Sequence, residues 1–208
     1  KLAAKVMAGK KLSELDYPER SRGKVAVKEV VYPFGNLPGV DPLLGPEMQS
    51  TGEVMGIAES FDEAYYKAEL AAENELPTSG TVLLSIRDED KSEVLQIARE
   101  LREFGLGLVG TEGTASYLGE RGIGVEKVNK INQGSPDVLE IVGEIDLIIN
   151  TPTEGEKPHR DGYKIRRAAV DLKIPYITNL QAAHAAVRAI KNTRRTRLPV
   201  RTIDEDQP

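Results

Sequence analysis

The chain has 208 residues, of which 39% are hydrophobic and 29% charged, with a formal net charge of -5. This composition is typical of globular proteins, and the acidic balance gives no electrostatic reason to expect a nucleic acid partner. Because there is no cysteine, disulfides and thiolate metal sites are excluded. No apolar run approaches the ~20 residues of a membrane span, and no signal-peptide pattern opens the chain. We therefore expect a soluble, cytoplasmic protein without membrane contact, cut from something longer since it starts at Lys1 without methionine.

The first 78 residues predict a small α+β unit. A helix end near the N-terminus is followed by a valine-rich strand near residues 25–32 and by one or two short strands within 47–57. Ser60 and Glu63 have the spacing of a capping box, and the apolar stripe after them indicates a helix. Because these few elements can bury only a little apolar surface, we expect this unit to be stabilised by packing against another part of a larger protein.

Residues 79–192 predict a separate α/β domain, because apolar strands alternate there with amphipathic helices. This alternation predicts a parallel sheet of the Rossmann type with helices on both faces. Two helix starts are predicted, one from the pair Asp90 and Glu93 and one at Ser135-Pro136. The tail, 193–208, is predicted to be extended or disordered. The five strands are expected near 81–86, 106–110, 125–128, 146–150 and 175–178.

The motif Gly-Thr-Glu-Gly-Thr-Ala at 110–115 joins the second of these strands to a short helix expected from Ser116. Its glycines allow close backbone approach, and Thr111 and Thr114 place hydroxyls beside the unpaired N–H groups of a helix N-terminus. This pattern predicts an anion site, most plausibly for phosphate. The alternative is that Thr111 or Thr114 only caps the helix.

Further polar residues follow the other strands. In an open parallel sheet, ligands bind beyond the carboxyl ends of the strands, so these side chains are expected to converge. Two lysines, several hydroxyls and an amide around a helix N-terminus suit a phosphate monoester. Taken singly, each has an ordinary structural alternative, such as a solvated lysine or a turn asparagine. The predicted set is Lys91, Thr111, Gly113, Thr114, Lys130, Asn150 and Thr151, with Thr178 and Asn179 after the fifth strand.

Catalytic patterns are missing from the sequence. There is no Walker motif, no carboxylate pair at a strand end and no histidine pair at ligand spacing. His184 is most simply a half-buried helix residue, and the charged loop with Glu154, Glu156, His159 and Asp161 favours solvated roles. The sequence therefore predicts a binding protein with no catalytic residue, metal ligand or cofactor of its own.

Five stretches of the sequence form a recognisable set. They are Ser-Ile-Arg-Asp-Glu-Asp-Lys at 85–91, Gly-Thr-Glu-Gly-Thr-Ala at 110–115, Val-Asn-Lys at 128–130, Leu-Ile-Ile-Asn-Thr at 147–151 and Asp-Gly-Tyr-Lys-Ile-Arg-Arg-Ala-Ala at 161–169. They resemble the methylglyoxal-synthase-like regulatory domain that ends the large subunit of carbamoyl-phosphate synthase. The run 28–31 and the stretches 38–48 and 50–56 upstream are similar to the end of the second ATP-grasp domain of that subunit. Few families carry both parts in this order, and the resemblance spans about residues 1 to 192.

The resemblance implies a parent ligase that makes carbamoyl phosphate from bicarbonate, glutamine-derived ammonia and two ATP, for arginine and pyrimidine synthesis. It implies as partners the rest of the large subunit and a glutamine amidotransferase small subunit. ATP and Mg or Mn would be bound before Lys1, so residues 1–78 would be an ATP-grasp fragment that is catalytically silent.

The resemblance also implies two effector sites. A nucleotide monophosphate, inhibitory UMP or activating IMP, would occupy the predicted phosphate pocket, where Pro152 replaces a threonine of the family pattern. An activating ornithine would bind at the domain junction, although other family members lack ornithine control. The matching residues for ornithine are Glu29, Leu44, Tyr176 and Thr178, with Tyr32 where the best-known members have leucine.

Two other functions compete with this one. A methylglyoxal synthase acting on dihydroxyacetone phosphate would have the same fold and phosphate site. Such lyases resemble this chain less at their catalytic aspartates, since the chain has Gln-Gly-Ser-Pro-Asp at 133–137 and Asn-Thr-Pro at 150–152. A plain interaction module without a small ligand would leave the predicted convergence of lysines and threonines unexplained.

Overall fold

The computed structural model describes residues 1–16, 23–44, 48–153 and 161–193. A short helix, α1 (Leu2–Met7), and a 3-10 turn at Leu12–Glu14 open the chain. None of the helices in the described part of the chain has the length and apolar character needed to cross a membrane. The predicted tail from 194 onward and residues 154–160, which include Glu154, Glu156 and His159, lie outside the described residues.

A two-stranded antiparallel sheet carries the first α-helix of substantial length. Strands β1 (Val25–Val31) and β2 (Gly52–Ala58) pair in register, and α2 (Phe61–Ala71) packs across them. The Ser60 hydroxyl accepts a hydrogen bond from the Glu63 N–H at 3.3 Å, so the predicted cap is confirmed. The strand near 25–32 is also confirmed. In the second predicted strand region, the described residues form one strand, β2.

The predicted five-stranded parallel sheet is confirmed, in the order β5-β4-β3-β6-β7. From the central β3, the chain proceeds outward to β4 and β5 on one side and then crosses to β6 and β7 on the other. The carboxyl ends of neighbouring strands diverge at such a reversal and leave a crevice. The strands are β3 (Thr81–Ser85), β4 (Gly107–Thr111), β5 (Glu126–Val128), β6 (Leu147–Asn150) and β7 (Tyr176–Ile177).

Helices cover both faces of this sheet, as predicted. Alternate residues of the buried strands point to opposite faces, so Leu84 and Ile149 join one apolar cluster and Leu83 and Ile148 the other. The first cluster lies under α3 and α7 and extends to the tyrosines of α2, and the second lies under α5 and α6. The helices of the sheet domain are α3 (Lys91–Phe104), α4 (Glu112–Gly119), α5 (Val138–Ile141), α6 (Asp161–Asp171) and α7 (Leu180–Thr193).

Two predicted helix starts are wrong, and a third is right in position only. Helix α3 begins directly after Asp90, as predicted, but Asp90 makes no side-chain cap, because its carboxylate accepts hydrogen bonds from Arg87 instead. The helix predicted from Ser135-Pro136 begins later, since Asp137 forms a full capping box with Glu140. Helix α4 begins at Glu112, ahead of the expected Ser116, which places the second glycine and threonine of the motif inside its first turn.

Candidate functional site

A cleft of about 590 Å³ opens at the carboxyl ends of the parallel strands. Its walls come from the segments that follow four strands, together with the starts of α5 and α6. The predicted ligands Thr111, Lys130, Asn150 and Thr151 all line it. The reversal of strand order beside β3 therefore brings together residues that are up to 40 positions apart in sequence, 111 to 151.

Lys91 and Gly113 lie at the edge of this cleft rather than in its lining. The Nζ atom of Lys91 is 2.5 Å from Oδ1 of Asp88, which does line the cleft. A Cβ added to Gly113 would lie 3.1 Å from the same Nζ atom. Lys91 therefore reaches across the first turn of α4, where backbone N–H groups have no partner within the helix.

Thr114 lies behind the cleft wall and is 1% exposed. Its hydroxyl accepts a hydrogen bond from the Ile86 N–H at 3.1 Å and lies 3.4 Å from the Ile86 carbonyl. Thr111 is the residue before α4, but its side chain makes no cap; its hydroxyl lies 3.4 Å from that of Thr114. The two threonines thus form a hydroxyl pair, with Thr111 facing the cleft and Thr114 supporting it.

Asn150 and Thr151 are held by the end of β3. Asn150 pairs in register with Ser85, and its side-chain amide donates to the Ser85 carbonyl at 3.2 Å. The Thr151 hydroxyl accepts from the Arg87 N–H at 2.9 Å. Both side chains are at least 95% buried, so β3 and β6 fix this wall of the cleft.

Acidic side chains accompany the cations. Asp88, Glu89 and Asp161 line the cleft, and the spacing of the sequence motifs did not single them out as ligands. The hydrogen bond from Lys91 lowers the pKa of Asp88, helped by the charges of Lys91 and Lys130. The pKa of Glu112 is lowered in the same way by its hydrogen bond from Lys127 and, more weakly, by Lys130.

Of the residues matched to an ornithine site, Glu29 belongs to β1, Tyr32 directly follows that strand, and Tyr176 begins β7. The Tyr176 hydroxyl donates to the Pro42 carbonyl at 3.5 Å. Burial, together with the nearby Tyr32, raises the pKa of Tyr176 to about 12. Burial and the charge of Glu29 raise the pKa of Tyr32. Leu44 is exposed and Thr178 is half-buried, one residue beyond β7.

Among the described residues, no three histidine or acidic side chains converge to hold a metal ion. Asp137, the residue nearest to a lyase aspartate in the sequence, instead accepts hydrogen bonds from the N–H groups of Asn132, Leu139 and Glu140 at 3.1, 2.9 and 3.3 Å.

Comparison with protein families defines the class of domain: residues 93–178 match the family model of the MGS-like domain. The chain is 52% identical over 209 residues to the carbamoyl phosphate synthase large chain of Methanosarcina acetivorans, covering 99% of this chain and 19% of that protein. It is also 52% identical over 199 residues to the C-terminal section of the large chain of Methanopyrus kandleri, covering 92% and 37%. The predicted resemblance to the C-terminal portion of the carbamoyl-phosphate synthase large subunit is therefore confirmed.

The chain spans only about a fifth of the length of full-length relatives such as the Methanosarcina acetivorans protein. A solved methylglyoxal synthase from Elizabethkingia anophelis is similar with a TM-score of 0.46 and 21% identity, over 54% of this chain and 79% of that one.

Proposed function

We propose that this chain is the allosteric regulatory portion of a carbamoyl-phosphate synthase large subunit, and that its cleft binds a nucleoside monophosphate, UMP or IMP. The observation that carries the proposal is the convergence of Thr111, Lys130, Asn150 and Thr151 on one cleft at the switch point of the sheet. Hydroxyls, an amide and a lysine beside the N-terminus of α4 match the needs of a phosphate dianion.

Each residue has a distinct part in this proposal. Lys130 is exposed and supplies charge, while Lys91 adds a second cation once the phosphate replaces Asp88 as its partner. Thr111 and Thr151 offer hydroxyls, and Gly113 keeps the approach to α4 open. Thr114 positions Thr111.

The parent enzyme would make carbamoyl phosphate from bicarbonate, glutamine-derived ammonia and two ATP, with the rest of the large subunit and a glutamine amidotransferase small subunit as partners. ATP and Mg or Mn would serve that reaction. The described residues bring no three acidic or histidine side chains together for such an ion. Residues 1–78 are proposed to be the end of an ATP-grasp domain.

Ornithine is proposed as a second effector at the junction near Tyr176. Glu29 supplies a carboxylate for an ammonium group, and Tyr32 lies close enough to Tyr176 to raise the pKa of its hydroxyl. The alternative function, a lyase acting on dihydroxyacetone phosphate, has less support. Asn150 occupies the strand-end position, and the carboxylate of Asp137 is engaged as a helix cap.

Calorimetric titration of UMP and IMP into the 208-residue chain tests the nucleotide site. Lys130→Ala should weaken binding about tenfold to a hundredfold, since it removes a charge-assisted hydrogen bond. Lys127→Ala is the matched control, because Lys127 lies three residues away, pairs with Glu112 and does not line the cleft. Added salt should weaken binding by the parent chain. Absence of binding at millimolar nucleotide, or equal binding by both variants, would contradict the proposal.

A further inference from the structure

Arg166 is the largest charged side chain that is completely buried among the described residues, at 0% exposure. Its guanidinium donates to both oxygens of Asp41, at 2.9 and 2.7 Å, and to Oδ1 of Asn150, at 2.9 Å. Asp41 is 125 residues away in sequence and belongs to the first part of the chain. One planar group therefore contacts both a wall of the cleft and a segment outside the sheet domain.

The segment that contains Asp41 is held to α6 at several points. We call residues 34–44 the junction loop. Tyr163 donates to the Gly39 carbonyl at 2.9 Å, and Arg167 donates to the carbonyls of Phe34 and Leu37 at 3.1 and 3.0 Å. The start of the same helix lines the cleft through Asp161, Gly162 and Ile165. Helix α6 therefore contacts the cleft at its beginning and the junction loop along its length.

The guanidinium also sets the orientation of the Asn150 amide. An asparagine side chain has one acceptor end and one donor end, and only the oxygen can accept from Arg166. The amide nitrogen then faces the Ser85 carbonyl, 3.2 Å away. A buried, bidentate arginine pair tolerates little change in geometry, because a charge left without its partner in the interior is costly. A shift of Asp41 is therefore transmitted to Asn150, and the reverse.

We infer that Arg166 is a positioning residue that couples occupancy of the cleft to the conformation of the junction loop. This inference rests on the proposed nucleotide site, of which Asn150 is a member. Arg166 does not itself touch the ligand; it acts through Asn150 on one side and Asp41 on the other. Coupling between two sites is reciprocal. A ligand that fixes Asn150 therefore orders the junction loop, and a change that loosens the loop lowers the affinity for the ligand.

The test uses Asp41→Asn in the full 208-residue chain, with UMP and IMP as probes. Asp41 is outside the cleft lining and reaches it through its two hydrogen bonds from Arg166, so an effect on nucleotide affinity is the expected sign of coupling through that guanidinium. We expect at least about a fivefold loss of affinity, the lower end of typical couplings between sites. Asp171→Asn is the matched control. It removes the same charge from the partner of the adjacent Arg167, at a side chain 61% exposed, and should change affinity less than twofold.

A measurement on the unmodified chain keeps the inference testable if Asp41→Asn does not fold. Amide hydrogen exchange of residues 34–44 should slow at saturating nucleotide. Helix α2 is the internal reference, because it packs on β1, β2 and α7, and its exchange rate should not change. Nucleotide binding with no change in this loop, or with Asp41→Asn binding as tightly as the parent chain, overturns the coupling but leaves the nucleotide site standing. If neither nucleotide binds the parent chain, the proposed site fails, and the coupling fails with it.

Discussion

The hydroxyl of Thr114 is hydrogen-bonded to the backbone of Ile86, 28 residues earlier in the chain. It accepts from the Ile86 N–H at 3.1 Å, and the Ile86 carbonyl lies 3.4 Å away. The first turn of α4 is thereby joined to the segment that follows β3, which is the opposite wall of the cleft. A residue expected from sequence to contact a phosphate is thus already engaged in holding two walls together.

We predict that Thr114→Val lowers the free energy of unfolding by about 1–3 kcal/mol, the cost of leaving a buried N–H group without a partner. The shape of the side chain is nearly kept, so packing loss is small. Thr114→Ser retains the hydroxyl and is the control; it should be the more stable of the two variants. Urea unfolding followed by circular dichroism measures both. A valine variant as stable as the parent would show that Ile86 does not depend on this hydroxyl.

Gly56 allows β2 and α2 to approach closely. A Cβ atom at this position would lie 2.0 Å from the Ala64 carbonyl oxygen and 2.7 Å from the Ala68 nitrogen, both backbone atoms that cannot rotate away. Gly56→Ala should therefore destabilise the protein by about 1–3 kcal/mol or more. Gly52→Ala, in the same strand with nothing within 4 Å, is the control and should be close to neutral. Equal melting temperatures for the two variants would contradict this packing.

The buried carboxyl of Glu69 should make the stability of the protein depend on pH. It is 9% exposed on α2; burial raises the pKa of its carboxyl, and the charge of Glu29 adds to this, while hydrogen bonds from Tyr65 and Asn74 partly oppose it. A raised pKa means that the folded state holds a proton that the unfolded state has released. Stability therefore falls as the pH rises above the ordinary carboxyl range and through the folded pKa.

Glu69→Gln should consequently stabilise the protein at pH 7, because the amide carries no charge to bury and keeps an oxygen that can accept from Asn74. The gain should shrink towards pH 4, where the glutamate is protonated in both states. Thermal unfolding between pH 4 and 8 measures this. Glu126→Gln, at an exposed position of β5, controls for net charge. A stabilisation by Glu69→Gln that grows as the pH falls would contradict this prediction.

Local and periodic features were predictable from the sequence. The short apolar run Leu147-Ile148-Ile149 indicates a buried strand, and the rule for strand ends correctly gathers Thr111, Lys130 and Asn150 at one cleft. The burial of Arg166 was not predictable, because its partner Asp41 is 125 residues away and no local sequence pattern indicates that the two form an ion pair. The start of α5 was mispredicted since Ser135 and Asp137 are both good caps, and only the reciprocal bond with Glu140 decides between them.

Asp88 is expected to lower the affinity of the cleft for a nucleotide phosphate. Its carboxylate lies 2.5 Å from Nζ of Lys91, and Lys130 is near enough to lower its pKa as well. An incoming phosphate is repelled by this carboxylate and competes with it for Lys91. Asp88→Asn removes the repulsion and frees the lysine, so UMP and IMP should bind about two- to fivefold more tightly, the range typical of an exposed charge pair.

Because Lys91 lowers the pKa of Asp88, the carboxylate stays ionised at neutral pH, and the gain should be constant between pH 7 and 8, where a nucleotide phosphate is largely a dianion. Calorimetry on Asp88→Asn, Lys91→Ala and the double variant separates the contributions. The gain should vanish without Lys91 if the aspartate acts by occupying that lysine. Weaker nucleotide binding by Asp88→Asn would reverse this role and make the carboxylate a group that accepts hydrogen bonds from the ligand.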